Sequence, residues 1–348
     1  MNISQNKYLR ILLLPLSVIY GFITAVRNKF YDLHIFRINE ISGIKCISVG
    51  NITTGGTGKT PAVEYLAKVL TAKGKRVAIL SRGYRRKSKG SLIVSDGKKI
   101  LADYKHSGDE PQLLARNLKG VPVIVESDRF KGGLLIRNKF DPGIIILDDA
   151  FQHRRIKRNL DILMIDCTAG LEHDRMLPAG NLREPLSGLK RSDIILLTRV
   201  DQVNRTDSLR QFIKKFTNAP IIETIHQPVS LKELNGDSEF PVNAINHKTV
   251  LLFSGIGNPV AFKNTIMKLG ANVVSEVTFF DHHFYAKADL QNIRRIAENK
   301  GVKWIITTEK DAIRLSSMKA LDFSIYYLKI RLKIEKDETA LIKLLCAS

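Results

Sequence analysis

The sequence predicts an α/β fold of parallel strands wrapped by helices, and three observations carry that prediction. The apolar run Cys46-Ile47-Ser48-Val49 feeds a glycine-rich stretch, residues 50–60, after which residues 61–70 place apolar side chains at helical spacing. A second apolar run, Ile144-Ile145-Ile146-Leu147, ends in the acids Asp148-Asp149. Strand-length and helix-length patterns then keep alternating through both halves of the chain. Strand, glycine-rich loop and helix in that order build a phosphate cradle. The first half therefore reads as a P-loop NTPase α/β/α sandwich, with a second, smaller α/β domain after it.

The chain has 348 residues, room for two ordinary domains. Its content of 44% hydrophobic and 26% charged residues excludes a disordered chain. A formal net charge of +21 asks for an anionic partner, whether nucleic acid, membrane surface or phosphorylated substrate. The cysteines Cys46, Cys167 and Cys346 are far apart and form no CxxC pair, which predicts reduced thiols in the cytosol and no zinc site.

The first element is apolar. Residues 11–26 carry no charge and, as a helix, would reach about 24 Å, short of a hydrocarbon core of about 30 Å. Pro15 and Gly21 weaken a straight span, and Lys7, Arg10, Arg27 and Lys29 flank it. No small-x-small cleavage site follows. Residues 1–28 are expected to lie on a membrane as an interfacial helix, the alternative being an ordinary first helix packed on the core.

In the P-loop, Thr53, Thr54, Gly55, Gly56, Thr57 and Gly58 form the cradle. Lys59 reaches the β/γ-phosphates and the Thr60 hydroxyl holds Mg²⁺. Thr53 stands where the usual pattern has glycine; Gly55 and Gly56 can supply the turn instead. Pro61 fits just inside the helix, where no N–H is missed.

Residues 76–80 form the next strand and run into the basic loop Ser81-Arg82-Gly83-Tyr84-Arg85-Arg86-Lys87, either a solvated face or a ligand loop at a strand's carboxyl end. Asp109, ahead of an apolar-periodic helix, fits an N-cap with Gln112 as its capping-box partner, or a carboxylate facing the phosphates. Residues 121–125 are a strand leading to Arg129. Residues 143–149 have the Walker B form, a buried strand delivering a carboxylate near Mg²⁺. Neighbouring side chains on a strand point to opposite faces, so Asp148 and Asp149 should play different parts unless the strand has already ended.

Residues 160–165 and 193–198 are further strands, with Asn181-Leu182-Arg183-Glu184-Pro185 in the loop between them. Thr198-Arg199-Val200-Asp201 is loosely similar to the guanine-reading Asn-Lys-x-Asp of GTPases. Residues 227–246 are polar, contain proline and glycine, and read as a linker. Beyond them come strands at 249–254, 272–280, 303–308 and 324–334 and helices at 259–269 and 288–300. Gly255-Ile256-Gly257 lacks the third glycine of a dinucleotide fingerprint. His282 and His283, at a strand end, fit a base, a proton shuttle or a surface pair. Thr307-Thr308-Glu309-Lys310-Asp311 fits chemistry or a helix cap with solvated charges.

The stretches 50–61, 81–84, 108–111, 147–153, 181–185, 280–283 and 308–312 occur together and in this order. As a set the chain resembles the tetraacyldisaccharide 4'-kinase family, up to about residue 315. Thr53 matches that family's variant P-loop, while Ala150 stands where the family more often has glycine. The resemblance implies a kinase that uses ATP and Mg²⁺. Its acceptor would be the 4'-hydroxyl of a tetraacylated glucosamine disaccharide 1-phosphate, at the cytoplasmic face of the inner membrane, with peripheral or monotopic attachment. It implies a kinase domain at 29–226, a linker at 227–246 and a second domain at 247–348, with the site in the cleft between.

Carried over by residue, the resemblance puts Lys59 and Thr60 on ATP and Mg²⁺, Asp148 on the metal and Asp149 near the reacting phosphoryl group. Asp109 becomes the catalytic carboxylate, paired with His282 in preference to His283. Tyr84, Arg129 and Arg183 become lipid contacts. No nucleic-acid partner and no obligate protein partner is expected, since the basic residues lack an aromatic stacking platform. The alternative is a P-loop GTPase or other nucleotide-dependent switch.

Overall fold

The computed structural model describes residues 7–316, 318 and 322–347; residues 1–6 of the N-terminal segment and the side chain of Cys346 lie outside the described part. In chain order the first elements are α1 (Lys7–Leu12), α2 (Leu14–Asp32), β1 (Lys45–Asn51), α3 (Lys59–Ala72), β2 (Val77–Ser81) and β3 (Leu92–Ser95). Next come α4 (Tyr104–Ser107), α5 (Asp109–Asn117), β4 (Val123–Val125), α6 (Arg129–Phe140), β5 (Ile144–Asp148), β6 (Leu160–Asp166) and β7 (Ile194–Thr198). The chain continues with α7 (Asp207–Lys214), β8 (Ile221–Glu233), β9 (Glu239–Pro241), β10 (Thr249–Ser254), α8 (Pro259–Lys268) and β11 (Asn272–Thr278). It closes with α9 (Lys287–Asn299), β12 (Trp304–Thr308), α10 (Glu309–Leu315), β13 (Tyr326–Lys336) and α11 (Glu338–Ala347).

The strands form one sheet in the order β11-β10-β12-β13-β8-β7-β6-β1-β5-β2-β4-β3, with β9 on β8. From β8 to β4 the pairs are parallel, and so are those from β11 to β13. Parallel strands buried on both faces carry near-continuous apolar runs, which is how β1, β5 and β7 read in the sequence. Helices α3 and α5 cover one face through Val63, Leu66, Leu70 and Leu114; α6 covers the other through Ile136. Each fully buried Leu or Ile there contributes roughly 1.5–3 kcal/mol of burial.

The seam between the two parallel arrays is antiparallel: β8 pairs with β13 from Glu223–Lys336 to Glu233–Tyr326. Most of the stretch expected as a polar linker is therefore structured, since β8 runs through Pro228 to Glu233 and β9 follows. The ladder slips between Lys329 and Ile330, opposite Val229, beside the proline that cannot donate to it. Strand β13 and helix α11 then return to the first half. Leu332, Ile334, Leu341 and Leu345 are buried with the α3 and β1 side chains.

Helix α2 is amphipathic with its polar side turned in. Ser17, Thr24 and Asn28 are buried, while Leu16, Val18, Ile19, Phe22 and Ile23 are exposed, Phe22 by 71%. Pro15 sits in its first turn, where no N–H is missed. Ser17 Oγ accepts from the Ala179 N–H (2.9 Å), Tyr20 donates to the Arg183 carbonyl (2.9 Å) and Asn28 donates to Glu184 (3.0 Å). No helix among the described residues is long and apolar enough to cross a membrane. Cys46 and Cys167 are free thiols, both pushed up to about 12, chiefly by burial.

Candidate active site

The P-loop joins β1 to α3. Thr53 forms an antiparallel bridge with Leu182, and the Thr54 N–H donates to the Asn181 carbonyl (2.8 Å). Thr53 is extended strand-edge backbone, so glycine is not required there. Gly58 is where glycine is required: φ is +88°, and a Cβ would stand 2.3 Å from His226 Nε2. The loop borders a cavity of about 420 Å³ whose wall also includes Tyr84, Asp149, Arg183, Phe262, His282 and Leu328. The second half contributes to it through β13, α8 and the 281–282 turn.

Asp148 and Asp149 do take different parts, because β5 ends at Asp148 and Asp149 turns into positive φ (+49°). Asp148 is buried, and its Oδ2 accepts from Ser81 Oγ (2.8 Å). Burial, then the charges of Glu110 and Asp149, push it up to about 6. Asp149 faces Lys59 Nζ (3.6 Å) and Arg183 Nη1 (2.8 Å). Burial opposes its charge, and Lys59 and Arg183 outweigh that, holding it well below the usual carboxylate range.

Among the buried oxygens here without a hydrogen-bond partner are Thr60 Oγ1 and Asp148 Oδ1, with Thr57 Oγ1 in the loop itself. A hydroxyl and a carboxylate are the hard oxygen donors that Mg²⁺ takes beside nucleotide phosphates, so Thr60 and Asp148 fit that ion. The P-loop, with Gly55 and Gly58 at positive φ, likewise fits a polyphosphate.

Asp109 is not the cap its local pattern suggested. Gly108 holds the N-cap position of α5, and Gln112 Oε1 accepts from Ser107 Oγ (3.0 Å) rather than closing a capping box. Asp109 instead receives two groups from the far half of the chain. His282 Nδ1 lies 3.0 Å from its Oδ2, and Arg314 pairs with the same oxygen, Nε at 2.9 Å. Burial opposes its charge, and the His282 hydrogen bond and Arg314 overcome that, holding it far below the carboxylate range. His283 turns away to Asp289 (2.9 Å) and stacks on Phe279. Of the two histidines, His282 is the one that meets Asp109.

Tyr84 is exposed and meets the His282 ring edge-on, centroids 5.3 Å apart. Arg183 Nη1 also reaches Asn51 Oδ1 (3.0 Å). Arg129 is buried beneath Asp148, donating to the carbonyls of Glu126 (2.8 Å) and Asp148 (3.0 Å). Its Nε is buried without a partner. Asp201, the acid of the GTPase-like tetrapeptide, pairs with Lys268 outside the cavity (2.9 Å). Thr308 caps α10, as one sequence reading had it, but Asp311 is fully buried rather than solvated, accepting from Tyr285 (2.8 Å) and Arg314 (2.8 Å). Sequence reasoning missed Arg314, one helical turn after Asp311, and His226, a lone histidine just ahead of the stretch that read as linker.

A phosphate loop, a Walker B strand and a carboxylate–imidazole pair around one cavity define a P-loop phosphotransferase. A family model described as tetraacyldisaccharide-1-P 4'-kinase matches residues 9–348, and the chain belongs to that family. Tetraacyldisaccharide 4'-kinase of Halothermothrix orenii is 40% identical over 328 residues, covering 89% of this chain and 84% of the relative. That of Aquifex aeolicus is 38% identical over 331 residues, covering 95% and 96%. A crystal structure of the Aquifex aeolicus LpxK, described as an apo form in complex with ATP, superposes with a TM-score of 0.78 at 38% identity, covering 97% of this chain and 99% of that one.

Proposed function

We propose that this chain transfers the γ-phosphate of ATP to the 4'-hydroxyl of a tetraacylated glucosamine disaccharide 1-phosphate, a step of lipid A biosynthesis. The observation that carries the site assignment is the meeting of Asp109 and His282 at the cavity bordered by the P-loop. Backbone N–H groups of residues 55–60 and Lys59 hold the triphosphate. Thr60 and Asp148 would hold Mg²⁺, which supplies charge neutralisation on the phosphate oxygens. The sugar hydroxyl attacks the γ-phosphorus, the bond to the β-phosphate oxygen breaks, and ADP leaves. The hydroxyl proton passes to the Asp109–His282 pair, which Arg314 keeps charged and oriented. Lys59 and Arg183 flank Asp149 beside the reacting phosphate. Tyr84 and Arg183, which line the cavity, are proposed to position the lipid headgroup; Arg129, expected as a third contact, is buried and instead braces the backbone at the end of the Asp148 strand.

The outward apolar face of α2 supports a peripheral or monotopic seat on the cytoplasmic face of the inner membrane. The basic surface suits both that membrane and its anionic lipid. A division into 29–226, a joining segment at 227–246 and 247–348 is part of the same proposal, with the two parts closing on the acceptor.

The test is transfer of labelled γ-phosphate from ATP to the tetraacyl disaccharide 1-phosphate in mixed micelles, with Lys59→Ala as control. Metal-dependent product, lost in the variant, is expected. Folded, ATP-binding protein that makes no product would mean that the acceptor is wrong.

A further inference from the structure

Two stretches not yet given a part, Thr198-Arg199-Val200-Asp201 and Gly255-Ile256-Gly257, meet beside the P-loop, where Arg199, Gly257 and Asn258 join the wall of the same cavity. Thr198 Oγ1 donates to the Thr57 carbonyl (3.1 Å). Arg199 Nη2 donates to the Gly56 carbonyl (2.7 Å), while Nη1 pairs with Asp166. Asp166 Oδ2 also accepts from Asn258 Nδ2 (3.3 Å), and Asn258 Oδ1 caps α8 by accepting from the Ala261 N–H (3.0 Å). The approach is close, since a Cβ on Gly257 would stand 2.9 Å from the Gly56 nitrogen. Arg199 is held at φ +57°, a conformation bulky residues rarely adopt and that concentrates at functional sites.

A P-loop binds phosphate with its peptide N–H groups, so the tilt of its peptide planes is its chemistry. In a trans peptide the carbonyl and the next N–H point in opposite directions across one plane. Arg199 fixes the plane shared by Gly56 and Thr57, and Thr198 fixes the one that carries the Gly58 N–H. The chain Arg199–Asp166–Asn258 continues from there to the start of α8, whose Ala261 and Phe262 line the same cavity.

We propose that Arg199 is a positioning residue for ATP: through Asp166 and Asn258 it ties the geometry of the P-loop to the seating of residues 255–258, so nucleotide affinity depends on that seat. This rests on the nucleotide site argued above. One guanidinium serves the carbonyl and the carboxylate at once, which a lysine ammonium does less well.

The test is calorimetric titration of a non-hydrolysable ATP analogue into the full chain and its variants, beside thermal melts and transfer kinetics. Asn258→Ser keeps an N-cap acceptor but loses the amide donor to Asp166. It is expected to weaken nucleotide binding about 3- to 10-fold with an unchanged melting temperature. Arg199→Ala is expected to weaken binding by about 10-fold or more, and Arg199→Lys by an intermediate factor. kcat at saturating ATP should stay within about 3-fold in each. The double variant Arg199→Ala with Asn258→Ser should bind no more weakly than Arg199→Ala alone, the signature of one connected chain. Wild-type affinity in Asn258→Ser and Arg199→Lys would overturn the proposal, and so would additive losses in the double variant. If Arg199→Ala does not fold, the other two single variants decide. Lys59→Ala separates the readings: if it binds the analogue normally, the nucleotide site itself is wrong. If it fails to bind while Asn258→Ser binds normally, only the positioning role is lost.

Discussion

His282 Nδ1 stands 3.0 Å from Asp109 Oδ2 although 173 residues separate them in the chain. Neither half of the molecule holds the pair alone, so the proton acceptance proposed for it requires both. Asp109→Asn and His282→Ala should each lower kcat by about 10²-fold or more, with the KM for ATP changed only a few-fold. Steady-state transfer in mixed micelles measures the split. A loss confined to the ATP KM would remove both residues from the chemistry.

Arg314 and Asp109 form a buried ion pair between α10 and α5. Removing the cation strips two interior carboxylates, Asp109 and Asp311, of the arginine that pairs with both. Arg314→Ala should therefore destabilise the fold by about 3–5 kcal/mol, far more than removal of an exposed arginine such as Arg294. Denaturant midpoints of the two variants provide the comparison.

At Gly58 two costs coincide, the positive φ and the imidazole of His226 against the would-be Cβ. Gly58→Ala should cut nucleotide affinity by about 10-fold or more. Adding His226→Ala removes the clash and leaves the φ penalty of about 1 kcal/mol, so the double variant should recover only part of the binding. Full recovery would mean that φ is not constrained there.

Burial, with Glu64 as a repelling neighbour, pushes the Glu309 carboxyl up to about 7. The folded state thus binds this proton more tightly than the unfolded one. Its stabilising contribution is present below about pH 4.5 and is lost as pH rises through 7. Glu309→Gln should melt higher than wild type at pH 8, by on the order of 1 kcal/mol, and show no such gain at pH 4.5. Calorimetric melts at the two pH values check the sign.

The outward face of α2 makes a separable prediction. Phe22→Ser with Ile19→Ser should reduce sedimentation with anionic liposomes by several-fold. Transfer to detergent-dispersed substrate should stay within about 2-fold. Unchanged sedimentation would rule out this helix as the membrane contact.

The strand–loop–helix of the phosphate site and the Walker B strand were legible because both are local patterns. What escaped was made by distant partners. Asp109 sits at a helix start, where local logic says cap; its ligands come from residues 282 and 314. Strand β8 was hidden because Pro228 and polar residues suggest a linker, and only pairing with β13, about 100 residues away, makes it a strand. The inward polar face of α2 left a readable trace: Ser17, Tyr20, Thr24 and Asn28 recur at three- and four-residue intervals, marking one side of a helix.

The return of β13 and α11 to the first half has a consequence for how the protein is made. The apolar side of α3 is covered in part by Leu332, Ile334, Leu341 and Leu345, which leave the ribosome more than 250 residues after it. Until then the phosphate-binding half lacks part of its core, and β8 lacks the neighbour that joins the arrays. The nascent chain exposes an unpaired strand edge and an apolar face through most of its synthesis, the state in which chains misassociate. The core of the phosphate-binding half is thus complete only once residues 326–347 have emerged.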